Sequence, residues 1–471
     1  MSLSIRSIRV GLLLGVLSVP LRAHLGSPDI FFEANAGPYP LFVTIRPPSV
    51  IPGVAELEVR SSSPKVTSIR ATPAPLTGDA AKYAPRPEAL TRSKDDPQYF
   101  TGSLWLMASG SWQVKVYADG SDGPGELSIP VPALATQIKR MDSKMGVLLL
   151  LLMVLLVAGL VSIAGAGAGE AQVEPGLEAG PKDRRRARAT MAFAALVLAG
   201  MIWGGNVWWT AEANDYSGDV YRPLAMDAQV DASSRKLKLD IKEESGWSGL
   251  RKTDDFVPDH NHLMHLYMLR MPEMDRAWHL HPEQEAGSTF IQQLPALAAG
   301  RYQLYADVVH RDGLPETMVA NIELPGAIAG QPLKGDDASG PEPGKYRVTW
   351  ISEGPLAARK VTPLRFKLVD EQGHGARDME LYMGMLGHAA FIKNDGSVFA
   401  HIHPGGSVPM AALAIAQDGD LHARHKMEGA GGLPSEVNFP YGFPSAGAYR
   451  IVVQMKAEGR VYTGIFDADV H

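Results

Sequence analysis

Two His-x-His-Pro segments, Trp278-His279-Leu280-His281-Pro282 and Phe399-Ala400-His401-Ile402-His403-Pro404, hold the residues of this chain best suited to chemistry. In a β-strand, residues two apart face the same way with Cβ atoms roughly 7 Å apart, so each His-x-His pair can share one metal ion. Each pair follows an apolar stretch carrying Met and His. The first is His262-Leu263-Met264-His265-Leu266-Tyr267-Met268; the second is Met379-Glu380-Leu381-Tyr382-Met383-Gly384-Met385-Leu386-Gly387-His388.

The candidate ligands near the first pair are His260, His262, His265, His279, His281 and His310, with Asp259 and Asp307 as orienters. Near the second they are Met383, Met385, His388, His401 and His403, with Leu381, Met383 and Met385 read as one strand face and a turn at Gly387 before His388. Imidazole suits Cu(II), Zn, Ni and Fe alike, whereas thioether with imidazole and no thiolate favours Cu(I). The plainer reading puts the histidines on the solvated face of a hairpin, with Trp278 and Leu280 inward and the methionines as core filler. His24 is a further candidate, because a terminal α-amine and its imidazole chelate copper if cleavage exposes them.

The chain has 471 residues, a formal charge of -6 and no cysteine. That length predicts roughly three domains. The absence of cysteine excludes disulfides, thiolate nucleophiles, iron–sulfur clusters and the His₂Cys blue-copper site. The mild charge gives no sign of nucleic-acid binding.

The N-terminus reads as an export signal, residues 1–23, with Arg6 and Arg9 before an apolar run and Pro20-Leu21-Arg22-Ala23 as the cleavage region. Two longer apolar runs, residues 145–167 and 191–209, approach the about 20 residues needed to cross a bilayer as a helix. The segment between them, 168–190, carries Lys182, Arg184, Arg185, Arg186 and Arg188 and is expected to stay in the cytoplasm. Lys139, Arg140 and Lys144, on the expected outer side, run against that orientation. Both large parts then lie outside the cytoplasmic membrane of a bacterium. The spans carry no internal charge and read as anchors rather than a channel.

Short turn-bounded runs such as PLFVTIR (40–46), VAELEVR (54–60) and SWQVKVY (111–117) predict strands. A weak repeat recurs at Gly110-x-Trp112-x-Val114, Gly300-x-Tyr302-x-Leu304 and Gly447-x-Tyr449-x-Ile451, each opening a terminal hairpin. The expected fold is mainly β: three immunoglobulin-like β-sandwich modules over 24–140, 222–325 and 345–471, a linker at 326–344, and two transmembrane helices.

An exported β-sandwich starting Ala23-His24-Leu25, with a late Gly-x-Trp-x-Val strand, resembles the periplasmic copper-resistance carriers of the CopC type and the related YtkA-like modules. The Met-x-Met-x-x-His and His-x-His-Pro segments resemble those of bacterial copper and heavy-metal binding β-sandwiches. The resemblance comes in patches of tens of residues. It implies an immunoglobulin-like fold, copper as ligand, and metal delivery or tolerance outside the cytoplasm; only His24 carries over from the CopC-type site.

The leading expectation is therefore a membrane-anchored metal-binding protein, for copper or else zinc, that exchanges its ion with another membrane protein. The alternative is a structural or interaction array of sandwiches. An enzyme is not expected, since neither Glu283 nor Glu285 is spaced as a general base for a metal site.

Overall fold

The computed structural model describes residues 29–138, 141–171, 173–174, 176–242, 251–417 and 432–471. The export signal, His24, Lys139 and Arg140 lie outside the described residues.

The described chain is mainly β, with antiparallel sheets paired into three sandwiches. In the first, alternating strands such as Gly53–Ser61 turn every second residue inward. Its two sheets meet over Leu41, Val43, Leu57, Val116, Ile129 and Val131.

The second sandwich sets a four-stranded sheet against a five-stranded one ordered Pro315–Leu324, Gly300–Val309, His265–Met271, Ala277–Leu280, Ala338–Gly340. In the third, a three-stranded sheet faces one built from Gly447–Ala457, His388–Lys393 and Phe399–Ile402, with Arg460–Val470 and Met379–Glu380 also pairing onto Gly447–Ala457.

The two larger sheets pack face to face. Leu266, Met268 and Leu304 point into the second core, while Tyr267, Leu269 and Tyr305 meet Ala390, Ile392, Phe399 and Val452 of the third. The strand His265–Met271 is therefore covered on both faces, which is why Leu266, Tyr267, Met268 and Leu269 form a continuous apolar run rather than an alternation. Each buried methylene contributes on the order of 0.8 kcal/mol, so this seam is a substantial contact between the sandwiches.

The Gly-x-aromatic repeat opens a hairpin in all three sandwiches. Gly110, Gly300 and Gly447 have φ of 134°, 140° and 135°, a region that side chains with a Cβ avoid. Two residues on, Trp112 Nε1, Tyr302 Oη and Tyr449 Oη each donate to the carbonyl four residues upstream, at 2.9, 2.8 and 2.8 Å. The aromatic thus pins the corner from which the hairpin starts.

Two helices leave the first sandwich, α1 (Ser143–Glu170) and α2 (Pro181–Gly218), both long and apolar enough to cross a membrane. Asp142 caps α1 through the amides of Lys144 and Met145. The basic residues 182–188, expected in a loop, form the first turns of α2 instead. Pro181 stands at a position that favours helix initiation and no breaker follows it.

The expected linker also differs. Ala338–Gly340 is a strand paired to Ala277–Leu280, so residues 338–340 belong to the second sandwich's sheet edge. Finally, the first sandwich grips the loop after His403: Glu33 N donates to Gly405 O at 2.8 Å and Ser407 N to Phe31 O at 2.9 Å.

A buried histidine cluster between two sandwiches

His265 and His388 occupy matching places. Each opens the central strand of its sheet, opposite Asp307 and Gln454 respectively. His279 and His401 match as well, lying opposite Tyr267 and Ala390 on the next strand. Because the two sheets face each other, both sets of rings converge on the seam between the sandwiches.

The cluster joins His260, His262, His265, His279, His281, His388, His401 and His403. Ring centroids lie 5.0 Å apart for His265 and His281, 5.4 Å for His265 and His401, and 5.0 Å for His388 and His403. Two triads, His265/His279/His281 and His260/His388/His403, each offer ligand atoms within 4.8 Å of one another.

These rings are not on a solvated hairpin face. His279 and His388 are 0% exposed, His265 2% and His403 3%. Burial pushes the imidazoles of His265, His279, His388 and His403 well below their usual range, and neighbouring histidines add to the effect; His260 and His281 are lowered too, again chiefly by burial. Neutral rings are the form that ligates metal.

Most rings are anchored through one nitrogen. His265 Nε2 donates to Asp259 O at 3.0 Å, His279 Nδ1 to Gln454 Oε1 at 3.0 Å, and His281 Nδ1 to Asp337 Oδ1 at 3.1 Å. His401 Nδ1 faces Asp307 Oδ2 at 3.5 Å, His403 Nδ1 faces Val408 O at 3.4 Å, and His262 Nε2 pairs with Asp336 at 3.2 Å. A partner on one ring nitrogen fixes the tautomer and aims the other, which is how proteins orient metal-ligating histidines.

The free nitrogens converge without partners. Nε2 of His260, His281, His401 and His403, and both nitrogens of His388, are buried with no hydrogen bond among the described residues. With their other nitrogens donating, His265 Nδ1 and His279 Nε2 bring two lone pairs to 3.1 Å. Each orphaned buried polar group costs about 1–3 kcal/mol, so the donor set fits a bound cation far better than an apolar core.

His260 reaches the third sandwich's triad through a two-residue hairpin. Asp259 and His262 exchange backbone hydrogen bonds, with φ of 49° at His260 and 70° at Asn261. Tyr382 and Met385 close the same turn around Met383 and Gly384, with φ of 49° and 79°. This overturns the expectation that Leu381, Met383 and Met385 share a strand face: the chain reverses there. Met383 packs with Ala338 and Tyr382.

His310 lies elsewhere. Both its nitrogens are taken, by Asp255 at 2.7 Å and Glu316 at 2.9 Å, in a buried network that includes Arg251. Burial would lower this imidazole, but the two carboxylates outweigh it and hold it above its usual value.

Asp336, Asp337 and Gln454 were missed from the sequence. The two aspartates sat in an expected linker, and Gln454 carries no signal apart from the register that sets it opposite His388. Tyr382 Oη donates to Asp336 O at 2.6 Å, holding that segment over the cluster.

A cavity of about 640 Å³ walled by all three sandwiches reaches the cluster at Asp259, His265, Asp307, His401 and His403.

Residues 341–471 match a family model described as a domain of unknown function, DUF8832. No curated protein matches the chain. Solved structures similar to it include a tetra-tandem repeat in the extending region of a large adhesion protein, with 10% identity, TM-score 0.18, and coverage of 90% of this chain and 71% of that one. Others are a 1.5-MDa bacterial ice-binding adhesin, with 7% identity, TM-score 0.15, and 89% and 91% coverage, and the D1–D4 ectodomain fragment of ICAM-5, with 9% identity, TM-score 0.15, and 92% and 77% coverage. At such TM-scores the likeness carries no argument about function.

Proposed function

We propose that this chain is a membrane-anchored metal-binding protein whose centre is the histidine cluster between its second and third sandwiches, with copper as its ion and copper delivery, homeostasis or tolerance as its role. One observation carries the reading: buried imidazoles, most of them anchored on one side, bring partnerless nitrogens together. The donors that meet are imidazoles, and Met383 sits in a hairpin turn rather than on a strand face shared with Met385, so the strand-face argument for a Cu(I) thioether site loses its footing. Copper remains favoured on affinity, because Cu(II) heads the divalent series at nitrogen sites, and zinc is the runner-up.

Anchoring in a bacterial cytoplasmic membrane with the sandwiches outside is supported by α1, α2 and the basic residues beside their connection. The second reading, a structural or interaction array of sandwiches, leaves the orphaned nitrogens without a purpose.

The full chain, purified in detergent after growth with copper and zinc both available, is challenged with a competing chelator and its metal content measured. Retained copper that is lost in the His279→Ala/His388→Ala double variant, which removes one ring from each triad, supports the reading. A folded, metal-free protein sinks it and leaves the array.

A further inference from the structure

The cluster has one closed side and one open side. Asp336 and Asp337 pair with His262 and His281, and Tyr382 ties down Asp336; none of these aspartates or paired histidines lines the cavity. His265, His401 and His403 do line the cavity, and two of them, His401 and His403, carry an orphaned Nε2.

We propose that an ion in this centre keeps a coordination position open to the cavity and there takes a small molecule with a lone pair, an anion or a neutral donor, from solution. The inference rests on the metal reading above and adds a second binding function to it. His260, His388 and His403 would give an ion three protein ligands, the arrangement that leaves a fourth position for water or substrate, and His403 is the member of this triad that lines the cavity. Structural sites are closed by four.

Size points the same way. A cavity of about 640 Å³ falls within the roughly 300–1,000 Å³ of small-molecule sites. A water takes up about 30 Å³ of liquid, so an entry path for an ion needs far less room. The walls are built for an occupant: Pro47 and Pro132 of the first sandwich, Leu263 and Val308 of the second, and Val408 and Ala412 of the third are apolar, and Arg46, Asp29 and Arg359 stand along the lining. The step is simple ligand exchange: the incoming lone pair forms a bond to the ion as a coordinated water leaves.

The test uses the full chain in detergent, loaded with Cu(II), with azide as probe and copper content measured on every sample. We expect a saturable azide-to-copper charge-transfer band. Val54→Trp and Pro132→Trp, which crowd the first sandwich's wall, should keep their copper and lose azide affinity by at least about tenfold, equivalent to roughly 1.4 kcal/mol. Copper retained with no azide band overturns the inference while sparing the metal reading. Azide binding unchanged in both copper-loaded variants also overturns it, because the ligand then enters elsewhere. A chain that holds no copper overturns both. Should neither variant load, presence or absence of the band in the wild-type protein decides.

Discussion

Gln454 stands opposite His388 in the third sandwich, yet its Oε1 accepts the Nδ1 proton of His279 in the second at 3.0 Å. Asp307 returns the relationship: it lies opposite His265 in the second sandwich and faces His401 of the third at 3.5 Å. Both are braced by a threonine on the next strand, Thr463 and Thr317. Each sandwich thus orients a ligand belonging to the other. Gln454→Leu and Asp307→Leu should each weaken metal affinity by about 10–100-fold with the ligands intact. Chelator competition measures this, and unchanged affinity in both would remove the orienting role.

The bound ion stabilises the fold by mass action. With free ion at about 1,000 times Kd the gain is about 4 kcal/mol. Chelation should therefore lower the thermal midpoint of the wild-type chain and leave that of the His279→Ala/His388→Ala variant where it was. Equal shifts in the two proteins would show that the chelator acts elsewhere.

Acid should destabilise the metal-free protein. Burial holds six cluster imidazoles below their usual value, so the unfolded chain takes up protons near pH about 6.5 where the native one does not. Their contribution to stability is fully present above that pH and is lost as pH falls through it. A thermal midpoint that drops between pH about 7.5 and 5.5, with a shallower slope in His279→Gln/His388→Gln, is expected. A flat profile would mean that the rings titrate in the fold as they do in the unfolded chain.

His310 should behave oppositely. Glu316 and Asp255 hold its pKa above the unfolded value, so its contribution is present below pH about 6.5 and fades as pH rises through the folded pKa. His310→Gln should cost about 1–3 kcal/mol at pH 6, less in alkali, and leave metal content unchanged. Loss of metal in this variant would tie the two networks together.

Much of this site was legible in the sequence. His279 with His281, and His401 with His403, share a face because the strand period is two, and their centroids lie 4.6 and 4.7 Å apart. The Gly-x-aromatic corners were readable because only glycine tolerates the φ they need. What local pattern could not reveal was the seam: no periodicity says that the sheet of 265–271 lies on that of 388–393, and without it the histidines look solvated. The turns at 382–385 and 259–262 were equally hidden. Met-Gly is not a strong turn signal, and His260 at positive φ is uncommon for a residue with a Cβ.

Five of the clustered histidines, from His260 to His281, precede the segment 326–344, and His388, His401 and His403 follow it. A chain made from its N-terminus folds the second sandwich before the third has been synthesised. Completion of the centre is therefore a late event in biogenesis, and prematurely ended chains never assemble it. The split donor set acts as a proofreading step for the triad of His260, His388 and His403, of which only His260 precedes the third sandwich.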